Sequence, residues 1–433
     1  MASYLQKIWL KIKKKITKEK IRQFIPNEIV NDFFHLPKSI MAVLWYLYPA
    51  KNLYVIGITG TDGKTTTANI VYHILKTANC KVSLISTVKA VIGDKEYNTG
   101  FHVTNPDSFA LQRLIYEAKE SGSKYLVLEA TSHGLVQHRN FGTNIAIGVI
   151  TNISHEHLDY HKTMKNYVLA KAKILNGVKY SILNRDDKYF RLLKNKYSGR
   201  LFTFGLDHKA DFTLKTFPFK TKLYGRYNRY NCLASIAVAK TLGISDEIIR
   251  DAIQSFKGVQ GRMEEVGRGR KFRLFIDFAH KPNALKNVLK ASRKLIRGNG
   301  RLIVMFGAAG LRDSTKRPLM GEIAGTLADV SIITSEDPRT ENVNKIIKQI
   351  EKGMIKTGVS EQKITNTQKK AHNKHFYRII VDRRKAINWI IKKLAKKNDI
   401  ILFCGKGHEQ SFCIGKTEYP WDEKNEILNA LKK

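Results

Sequence analysis

The stretch Val55-Ile-Gly-Ile-Thr-Gly-Thr-Asp-Gly-Lys-Thr-Thr-Thr67 decides the fold of this chain. A short apolar strand runs into a glycine-rich turn, and Lys64 and Thr65 open a predicted helix. Such a turn directs backbone N–H groups and a helix N-terminus at phosphate oxygens. The lysine adds a positive charge, and the threonine hydroxyl is placed to bind Mg²⁺. The stretch therefore predicts a phosphate loop that binds ATP. The residues predicted to bind ATP here are Gly60, Thr61, Asp62, Gly63, Lys64, Thr65 and Thr66.

Length and composition indicate a globular protein of more than one domain. The chain has 433 residues, which exceeds one ordinary hydrophobic core, and its hydrophobic content of 43% excludes a disordered protein. The four cysteines form no CxxC pair and no metal-ligand spacing, so we expect them to be reduced and structural.

The formal net charge of +39 raises the question of a nucleic-acid partner. However, Lys and Arg are spread along the whole chain and no module of interleaved aromatic and basic residues stands out. We therefore expect no nucleic-acid partner. A positive field also favours anionic substrates such as ATP and a nucleotide-linked or polycarboxylate acceptor.

The first fifty residues differ from the rest. Apolar residues recur at helical spacing between Leu5 and Ile16, with lysines largely between them, which predicts a basic amphipathic helix. Two alternatives stay open: the helix lies on an anionic membrane surface, or it packs on the next domain with a solvated lysine face. The apolar run Ile40–Tyr48 is too short for a bilayer span, which needs roughly twenty residues. No signal-peptide cleavage site follows it, so we expect a cytoplasmic protein. We also expect it to act as a monomer.

From Leu53 to about Gly258, and again from Phe272, strand-like runs alternate with helical ones, which predicts two α/β units with mainly parallel sheets. The predicted strands of the first unit are Leu53–Ile58, Tyr125–Leu128, Ile145–Thr151 and Tyr180–Leu183. Those of the second are Phe272–Phe278, Leu302–Phe306, Val330–Thr334, Arg378–Val381 and Ile400–Cys404. Ligands of such sheets bind outside the carboxyl ends of the strands, so we expect the site in a cleft between the two units.

Two segments after buried strands carry candidate metal ligands. Glu129 ends a predicted strand and can reach a metal at the phosphate loop. The segment Thr151–His161 holds three histidines and two carboxylates, a composition that would suit zinc. No cysteine and no HExxH spacing supports zinc, and a nearby nucleotide favours Mg²⁺ with few protein ligands. Lys171, read from the pattern alone, would be a solvated surface lysine.

The ordered set of motifs resembles the Mur ligase family, within it the members that add the third residue of the peptidoglycan stem peptide. The phosphate loop is of the TGTxGKTT form of that family and its folate-ligase relatives. The further motifs are LEATSHGLVQHR, TNISHEHLDYH, YVLAK, LNRDD, GRYNRYNCLASIA, GRME, IDFAHKPNAL, DSTKRPLMGEIA, TSEDPRTE and GKGHE. The resemblance runs from about Leu53 to the C-terminus. It implies a central P-loop ATPase domain over residues 51–260 and a C-terminal Rossmann-like domain over residues 261–433, behind a basic, helical segment over residues 1–50.

The resemblance also implies roles around ATP. Lys64 would hold the β- and γ-phosphates and Thr65 one Mg²⁺, while Glu129 and His157 would ligate the two Mg²⁺ ions. Lys171 matches the lysine that is carbamylated in the family, and its carbamate would bind the second Mg²⁺. Three further matches contact the nucleotide: these are Asn231, at the adenine, and Arg262 and Asp277, on closure of the C-terminal domain.

The substrates are implied in the same way. The muramoyl dipeptide would be held by Thr104, Asn105, Thr131, Gln137 and Arg139. The incoming amino acid, which is meso-diaminopimelate in similar members, would be held by Arg312, Glu336, Asp337, Pro338, Arg339, Gly405 and Glu409. The implied reaction forms an acyl phosphate from ATP and a carboxylate, which the amine of the amino acid then attacks. His280 is the one candidate general base.

Three departures from the family pattern leave alternatives open. Asp337 replaces the usual Asn before Pro338, which leaves lysine as an alternative third residue. Asp62 replaces Asn in the phosphate loop, where we expect little effect. Only about fifty residues precede the loop, so the usual uridine-binding domain is expected to be reduced or absent. A ligase acting on another carboxylate, such as folylpolyglutamate, and a non-catalytic nucleotide-binding or nucleic-acid-binding protein are the alternative functions.

Overall fold

The structure is a computed structural model that describes residues 30–97, 106–362 and 375–432. The predicted amphipathic helix between Leu5 and Ile16, and the candidate acceptor residues Thr104 and Asn105, lie outside the described residues. In the part of the chain that is described, no helix is long and apolar enough to cross a membrane.

The central domain is built on an eight-stranded sheet in the order β4-β3-β2-β5-β1-β6-β7-β8. Six strands are parallel, and β3 and β4 continue the sheet from β2 as antiparallel strands. The strands are β1 Tyr54–Thr59, β2 Val82–Ile85, β3 Ala90–Ile92, β4 Lys95–Tyr97, β5 Tyr125–Glu129, β6 Ile145–Ile150, β7 Tyr180–Asn184 and β8 Arg200–Phe204.

Helices cover this sheet. They are α1 Leu36–Trp45, α2 Lys64–Thr77, α3 Ser108–Glu120, α4 Ser132–Val136, α5 Leu158–His161, α6 Met164–Ala172, α7 Phe190–Lys194, α8 Arg226–Thr241 and α9 Asp246–Ser255. A π-helix over Asn31–His35 precedes α1, and 3₁₀ turns cover Pro49–Asn52 and Lys173–Leu175.

The central strand β1 leads into the phosphate loop from the middle of the sheet. It pairs with β5 on one side and β6 on the other, and Ile56 and Ile58 are fully buried between helices. Burying each such side chain stabilises the fold by roughly 1.5–3 kcal/mol. On β6, Gly148 lets the turn at Ile174 approach, because a Cβ there would lie 2.6 Å from the Ile174 carbonyl oxygen.

The C-terminal domain has a seven-stranded sheet in the order β13-β14-β12-β11-β15-β10-β9, parallel except for the edge strand β9. Its strands are β9 Glu264–Val266, β10 Arg273–Asp277, β11 Leu302–Phe306, β12 Val330–Ile333, β13 Ser360–Glu361, β14 Phe376–Ile379 and β15 Ile400–Cys404. A separate hairpin comprises β16 Ser411–Ile414 and β17 Thr417–Pro420.

The helices of this domain are α10 Pro282–Arg293, α11 Lys316–Leu327, α12 Val343–Ile355, α13 Arg383–Trp389 and α14 Glu423–Lys432, with a π-helix over Ile390–Leu394 after α13. The prediction of two mainly parallel α/β sheets is confirmed. The predicted bounds of β11 and β15 match the structure, and the other predicted strands differ by one or two residues. The predicted strands do not include β2, β3, β4, β8, β9, β13 or the β16–β17 hairpin, which are short strands of two to five residues.

The described part of the N-terminal segment forms an apolar surface. We call it the N-terminal patch, and its exposed members are Phe33, Phe34, Met41, Leu44, Trp45, Leu47 and Tyr48. The buried face of α1 packs toward the central domain, where Val43 contacts the chain at Gly142 and Ser39 Oγ lies 2.7 Å from Ser108 Oγ.

Candidate active site

The phosphate loop lies at the carboxyl end of β1 and is fixed by the segment that follows β6. Thr61 N donates to the Asn152 carbonyl oxygen at 2.8 Å, and Asp62 N donates to Asn152 Oδ1 at 3.0 Å. The Asp62 carbonyl accepts from Thr151 Oγ1 at 2.7 Å and from Asn152 Nδ2 at 2.9 Å. Gly63 caps α2 in the left-handed conformation, with φ at 81°. The loop geometry is therefore set by hydrogen bonds of the protein itself.

Lys64 and Thr65 open α2 as predicted. Lys64 Nζ donates to the Thr61 carbonyl oxygen at 3.2 Å, inside its own loop. Burial lowers the pKa of Lys64, and the positive charge of Lys281 lowers it further. Thr65 Oγ1 donates to Glu129 Oε1 at 3.1 Å, and Glu129 Oε2 accepts from Thr87 N at 2.9 Å. The ends of β1 and β5 thus bring a hydroxyl and a carboxylate together beside the loop.

This donor set fits Mg²⁺. The Thr65 hydroxyl and the Glu129 carboxylate are hard oxygen ligands, and both are buried beside the loop that receives phosphates. Among the described residues, no group of three or more His, Cys, Asp or Glu side chains could hold a metal ion by itself. A magnesium ion that takes few protein ligands and several phosphate oxygens agrees with that arrangement.

The predicted metal ligand His157 belongs to a cluster of aromatic rings. Its ring packs edge-on against His133 at 4.7 Å between centroids, and His133 also contacts His161 at 5.4 Å. His157 Nε2 lies 3.4 Å from Glu156 Oε1. Burial is the main cause that lowers the pKa of both His157 and His161, so both rings are neutral at pH 7. A neutral ring can offer a nitrogen lone pair to a metal.

Lys171 is buried, contrary to its interpretation from the pattern alone as a surface lysine. It is 2% exposed on α6, and its Nζ donates to the Gly60 carbonyl oxygen at 2.6 Å. Its ammonium group also lies 4.7 Å from the centre of the Tyr167 ring. Burial and the charge of Lys64 hold the pKa of Lys171 well below its ordinary value. The helix carries this side chain underneath the phosphate loop.

The other predicted nucleotide residues lie on both sides of the loop. Asn231 on α8 is buried behind it, and Asn231 Oδ1 accepts from Thr67 Oγ1 at 3.4 Å. Arg262 crosses from the C-terminal domain and its Nη2 lies 3.5 Å from Thr65 Oγ1, while its guanidinium stacks on Phe278. Asp277 ends β10 and accepts from Met263 N and Ala279 N, each at 2.8 Å. Burial raises the pKa of Asp277 to about 6.

The described acceptor residues lie before and after α4, at the same edge of the central sheet. Thr131 caps α4 and accepts from Gly134 N at 3.0 Å. Gln137 is buried and its Nε2 lies 3.4 Å from the Tyr160 hydroxyl. Arg139 follows two residues later, and burial lowers the pKa of its guanidinium.

The predicted donor residues lie at the carboxyl ends of β12 and β15. Asp337 is buried, and its two carboxylate oxygens accept from Lys406 Nζ at 2.9 and 3.0 Å. Glu409 pairs with the same ammonium group at 2.7 Å. Arg339 has a left-handed backbone, with φ at 53°, and its Nη1 donates to the Gly310 carbonyl at 3.3 Å.

The remaining members of this group differ in exposure. Glu336 is buried against Gly405, where a Cβ would lie 2.0 Å from Glu336 Oε2, and burial raises the pKa of Glu336 to about 7. Pro338 is buried beside it, whereas Arg312 is exposed on the loop before α11.

Sequence reasoning missed the ion pair between Glu156 and Lys281. Glu156 lies in the ligand-dense segment after β6, and Lys281 caps α10 in the other domain. The two residues are far apart in sequence, so no spacing could have paired them. His280, the predicted candidate base, precedes Lys281, and its Nδ1 lies 2.8 Å from the Phe278 carbonyl oxygen. The carboxyl edges of the two sheets therefore face each other across the phosphate loop.

Comparison with known families gives two adjoining matches. Residues 58–239 match the model described as the Mur ligase middle domain, and residues 261–407 match the model described as the Mur ligase, glutamate ligase domain. The two matches run from the end of β1 to just after β15, apart from residues 240–260.

Curated relatives cover most of the chain. A protein of Caldanaerobacter subterraneus subsp. tengcongensis, named UDP-N-acetylmuramoyl-L-alanyl-D-glutamate--2,6-diaminopimelate ligase, is 37% identical over 406 residues, which is 89% of this chain and 80% of that protein. The protein of the same name from Aquifex aeolicus is 38% identical over 401 residues, 88% of this chain and 78% of that protein.

Solved structures agree with the fold. A structure of a UDP-N-acetylmuramoyl-L-alanyl-D-glutamate--2,6-diaminopimelate ligase matches with a TM-score of 0.59 at 29% identity, covering 88% of this chain and 79% of that one. Escherichia coli FolC in complex with DHPP and ADP matches with a TM-score of 0.65 at 18% identity, covering 85% and 89%. The second likeness concerns the fold alone.

Proposed function

Because this chain belongs to the Mur ligase family, we propose that it is the ATP-dependent ligase that joins 2,6-diaminopimelate to UDP-N-acetylmuramoyl-L-alanyl-D-glutamate. The observation that carries the proposal is the phosphate loop with Lys64, Thr65 and Glu129 at one strand edge, which Arg262 of the second domain reaches. The folate-type alternative shares the fold at 18% identity, whereas the diaminopimelate-adding relatives are 37–38% identical.

We propose that the chemistry begins with phosphorylation of the D-glutamate carboxylate. A carboxylate is a poor electrophile, and phosphoryl transfer from ATP turns it into an acyl phosphate. Lys64 would offset the repulsion between the carboxylate and the γ-phosphate, since a fixed cation in a water-poor site stabilises developing negative charge. The amine of the amino acid then attacks the acyl carbon, the new amide forms and phosphate leaves.

Thr65, Glu129 and His157 are the residues that would hold the two Mg²⁺ ions, with Lys171 as a carbamate. When bound, the metal would neutralise phosphate charge and orient the γ-phosphoryl group. The carbamate proposal is supported by the burial of Lys171 and by its lowered pKa, because the neutral amine is the form that reacts with carbon dioxide. Carbamylation would give the buried Lys171 side chain a negative charge and carboxylate-like oxygen ligands.

We propose that the acceptor peptide binds along α4, near Thr131, Gln137 and Arg139; the roles of Thr104 and Asn105, outside the described residues, stay predictions. Arg139 can bind a carboxylate of the peptide in a bidentate manner. The residues 51–260 and 261–433 would act as two domains that close on the substrates. Closure supports the reaction because it keeps water from hydrolysing the acyl phosphate.

The donor pocket favours diaminopimelate over lysine. Arg339 supplies a cation that suits the distal carboxylate of diaminopimelate, which lysine lacks. The unusual Asp337 does not place an unpaired negative charge beside it, because the Asp337 carboxylate binds Lys406 Nζ and Cys413 N. His280 remains the proposed base for the amine, and its pKa is lowered by burial and by Lys281.

We further propose a cytoplasmic, monomeric enzyme whose N-terminal end contacts an anionic membrane surface. The N-terminal patch exposes two phenylalanines and Trp45, which is 76% exposed. In the sequence, a basic stretch between Lys7 and Arg22 precedes it. Apolar and aromatic side chains beside lysines are the combination that binds anionic bilayers. Flotation with phosphatidylglycerol vesicles tests it: W45S should reduce binding and I355S, an exposed control, should not. Equal binding by both variants would contradict this contact.

Phosphate release from ATP tests the proposed reaction. The enzyme is incubated with UDP-N-acetylmuramoyl-L-alanyl-D-glutamate and Mg²⁺ in the presence of meso-diaminopimelate, L-lysine or neither. We expect release that depends on diaminopimelate. Release with lysine alone would overturn the role of Arg339 but keep the ligase, and no release with either would overturn the proposed acceptor.

A further inference from the structure

The start of α10 holds the C-terminal domain against the phosphate loop. Asn283 Nδ2, in the first turn, donates to Asp62 Oδ2 at 2.9 Å. Lys281, which caps the helix, forms an ion pair with Glu156 of the central domain. Two side chains of one helical turn therefore reach across the cleft, one to the loop itself and one to the segment after β6.

Lys281 lies inside the cleft and not at its rim. Its side chain is 18% exposed and that of Glu156 is 12% exposed. The segment that carries Glu156 is itself held to the phosphate loop, because Ser154 N donates to Thr61 Oγ1 at 2.9 Å. The ion pair with Glu156 therefore places Lys281 beside the loop.

Three lysines converge near the loop. Lys64 opens the helix after the loop, Lys281 reaches it from α10, and Lys316 Nζ donates to the His280 carbonyl oxygen at 2.8 Å. The carboxylates around them are Asp62, Glu129 and Glu156, and each already has a hydrogen-bond or ion-pair partner. Like charges that converge in a water-poor cleft favour a ligand with several negative charges, such as a phosphoryl group.

We propose that Lys281 contacts the phosphoryl group in transfer from ATP to the acceptor carboxylate, and that Glu156 is the positioning residue that holds Lys281 over the phosphate loop. This inference rests on the proposed ligase function. In the step, a bond forms between a carboxylate oxygen and the γ-phosphorus. The bond from that phosphorus to the β,γ-bridging oxygen breaks, and ADP leaves with the electron pair. Lys281 keeps its proton and stabilises the charge on the non-bridging oxygens.

The role of Lys281 differs from that of Lys64 in one respect. Lys64 belongs to the phosphate loop and is present whenever ATP binds, whereas Lys281 is supplied by the other domain. Its contact exists only when α10 lies on the loop, as it does here through Asn283 and Asp62. The transfer step would thus be coupled to domain closure, so that the acyl phosphate forms only where water is excluded.

The test compares binding of ADP with binding of ADP plus aluminium fluoride, a mimic of the phosphoryl group in transfer, in the presence of Mg²⁺ and measured by calorimetry. For K281M we expect the ADP–fluoride complex to bind about 100-fold more weakly, with ADP alone changed less than about 3-fold. K281R should stay within about 10-fold of the wild type. K286M, an exposed lysine of the same helix, serves as the matched control and should bind as the wild type does.

If K281M weakens the binding of ADP and of the ADP–fluoride complex equally, Lys281 only holds the domains together. If K281M weakens neither, Lys281 does not reach the phosphoryl group. Either result overturns the proposal. E156Q, which keeps the shape of Glu156, should weaken the fluoride complex by about 10-fold and lower kcat more than it raises KM for ATP. An unchanged kcat in E156Q would remove the positioning role. Because this binding needs no acceptor, it stays separate from failure of the ligase assay with the muramoyl dipeptide.

Discussion

Buried cations have different partners at two strand edges of this molecule. At the phosphate edge, the carboxyl ends of β1 and β5, Lys64 and Lys171 donate to the backbone carbonyls of Thr61 and Gly60. At the ion-pair edge, the carboxyl ends of β12 and β15, Lys406 binds Asp337 and Glu409, and Arg383 binds Glu423.

The pKa values follow the same division. Burial lowers the pKa of Lys64 and of Lys171, whereas carboxylate partners outweigh burial and raise the pKa of Lys406 and of Arg383. A fully buried cation held by a carboxylate keeps that carboxylate paired in the folded protein. A cation held by neutral carbonyls gains most when an anionic ligand arrives. The cations of the phosphate edge are therefore suited to binding an anion, whereas Lys406 and Arg383 of the ion-pair edge hold buried carboxylates in place.

The largest expected effect is on catalysis at the phosphate edge. K64M should lower kcat by about 10²- to 10³-fold because it removes a fixed cation from the transferred phosphoryl group. Its melting temperature should not fall, because the lysine has a lowered pKa in the folded protein. K76M, in the last turn of α2 where the side chain is exposed, is the control for both measurements. A K64M enzyme with a lower melting temperature and an unchanged kcat would contradict the assignment of the phosphate edge to binding.

At the ion-pair edge the large effect should be on stability. Arg383 and Glu423 are 1% and 0% exposed, and their charged atoms lie 2.5 Å apart. R383M leaves Glu423 buried without its cation, so we expect the free energy of unfolding in urea to fall by about 3–5 kcal/mol. R384M removes the neighbouring exposed ion pair with Glu426 and should change the free energy of unfolding by less than about 1 kcal/mol. Similar losses in the two variants would contradict the account.

Glu336 makes the stability of the ion-pair edge depend on pH. Its pKa is raised from 4.5 to about 7, mainly by burial, despite the nearby cations Lys316 and Arg383. The folded protein thus holds this proton to a higher pH than the unfolded chain does. The free energy of unfolding should fall by on the order of 3 kcal/mol as pH rises from 4.5 to 7, and this contribution is fully present below pH 4.5. Urea unfolding of E336Q should show a flatter profile, and an identical slope in both proteins would refute it.

The smallest effect concerns the backbone of the phosphate loop. Gly63 has a φ of 81°, and a Cβ there would lie 2.2 Å from Asn231 Oδ1. Gly243 has a similar φ of 75° with nothing within 4 Å, so G243A isolates the backbone strain. We expect G243A to lower the free energy of unfolding by about 1 kcal/mol. We expect G63A to have a similar cost and, in addition, to bind ADP more weakly in calorimetry. Unchanged ADP affinity in G63A would show that the Asn231 side chain moves away from the added methyl group without disturbing the loop.

The sequence predicted most of the phosphate edge, because local rules determine it. A strand, a glycine turn and a helix start are contiguous, so Lys64 and Thr65 could be placed from spacing alone. Glu129 followed from the end of an apolar strand. The burial of Lys171 could not be predicted from its helix, since it depends on how α6 packs under a loop more than a hundred residues earlier.

The ion-pair edge was less predictable. Glu336, Asp337 and Arg339 were identified only through a family resemblance. The pairing of Asp337 with Lys406 joins the ends of two strands that are not neighbours in sequence. The contact between Glu156 and Lys281 depends on the relative position of two domains, which no local pattern contains.

The identity of the product tests the central claim most directly. The enzyme is given ATP, Mg²⁺ and UDP-N-acetylmuramoyl-L-alanyl-D-glutamate with equal amounts of meso-diaminopimelate and L-lysine, and the products are weighed by mass spectrometry. The account predicts the diaminopimelate-containing tripeptide as the main product in the wild type and its loss in R339A. A product that contains mainly lysine, or wild-type selectivity in R339A, would contradict it.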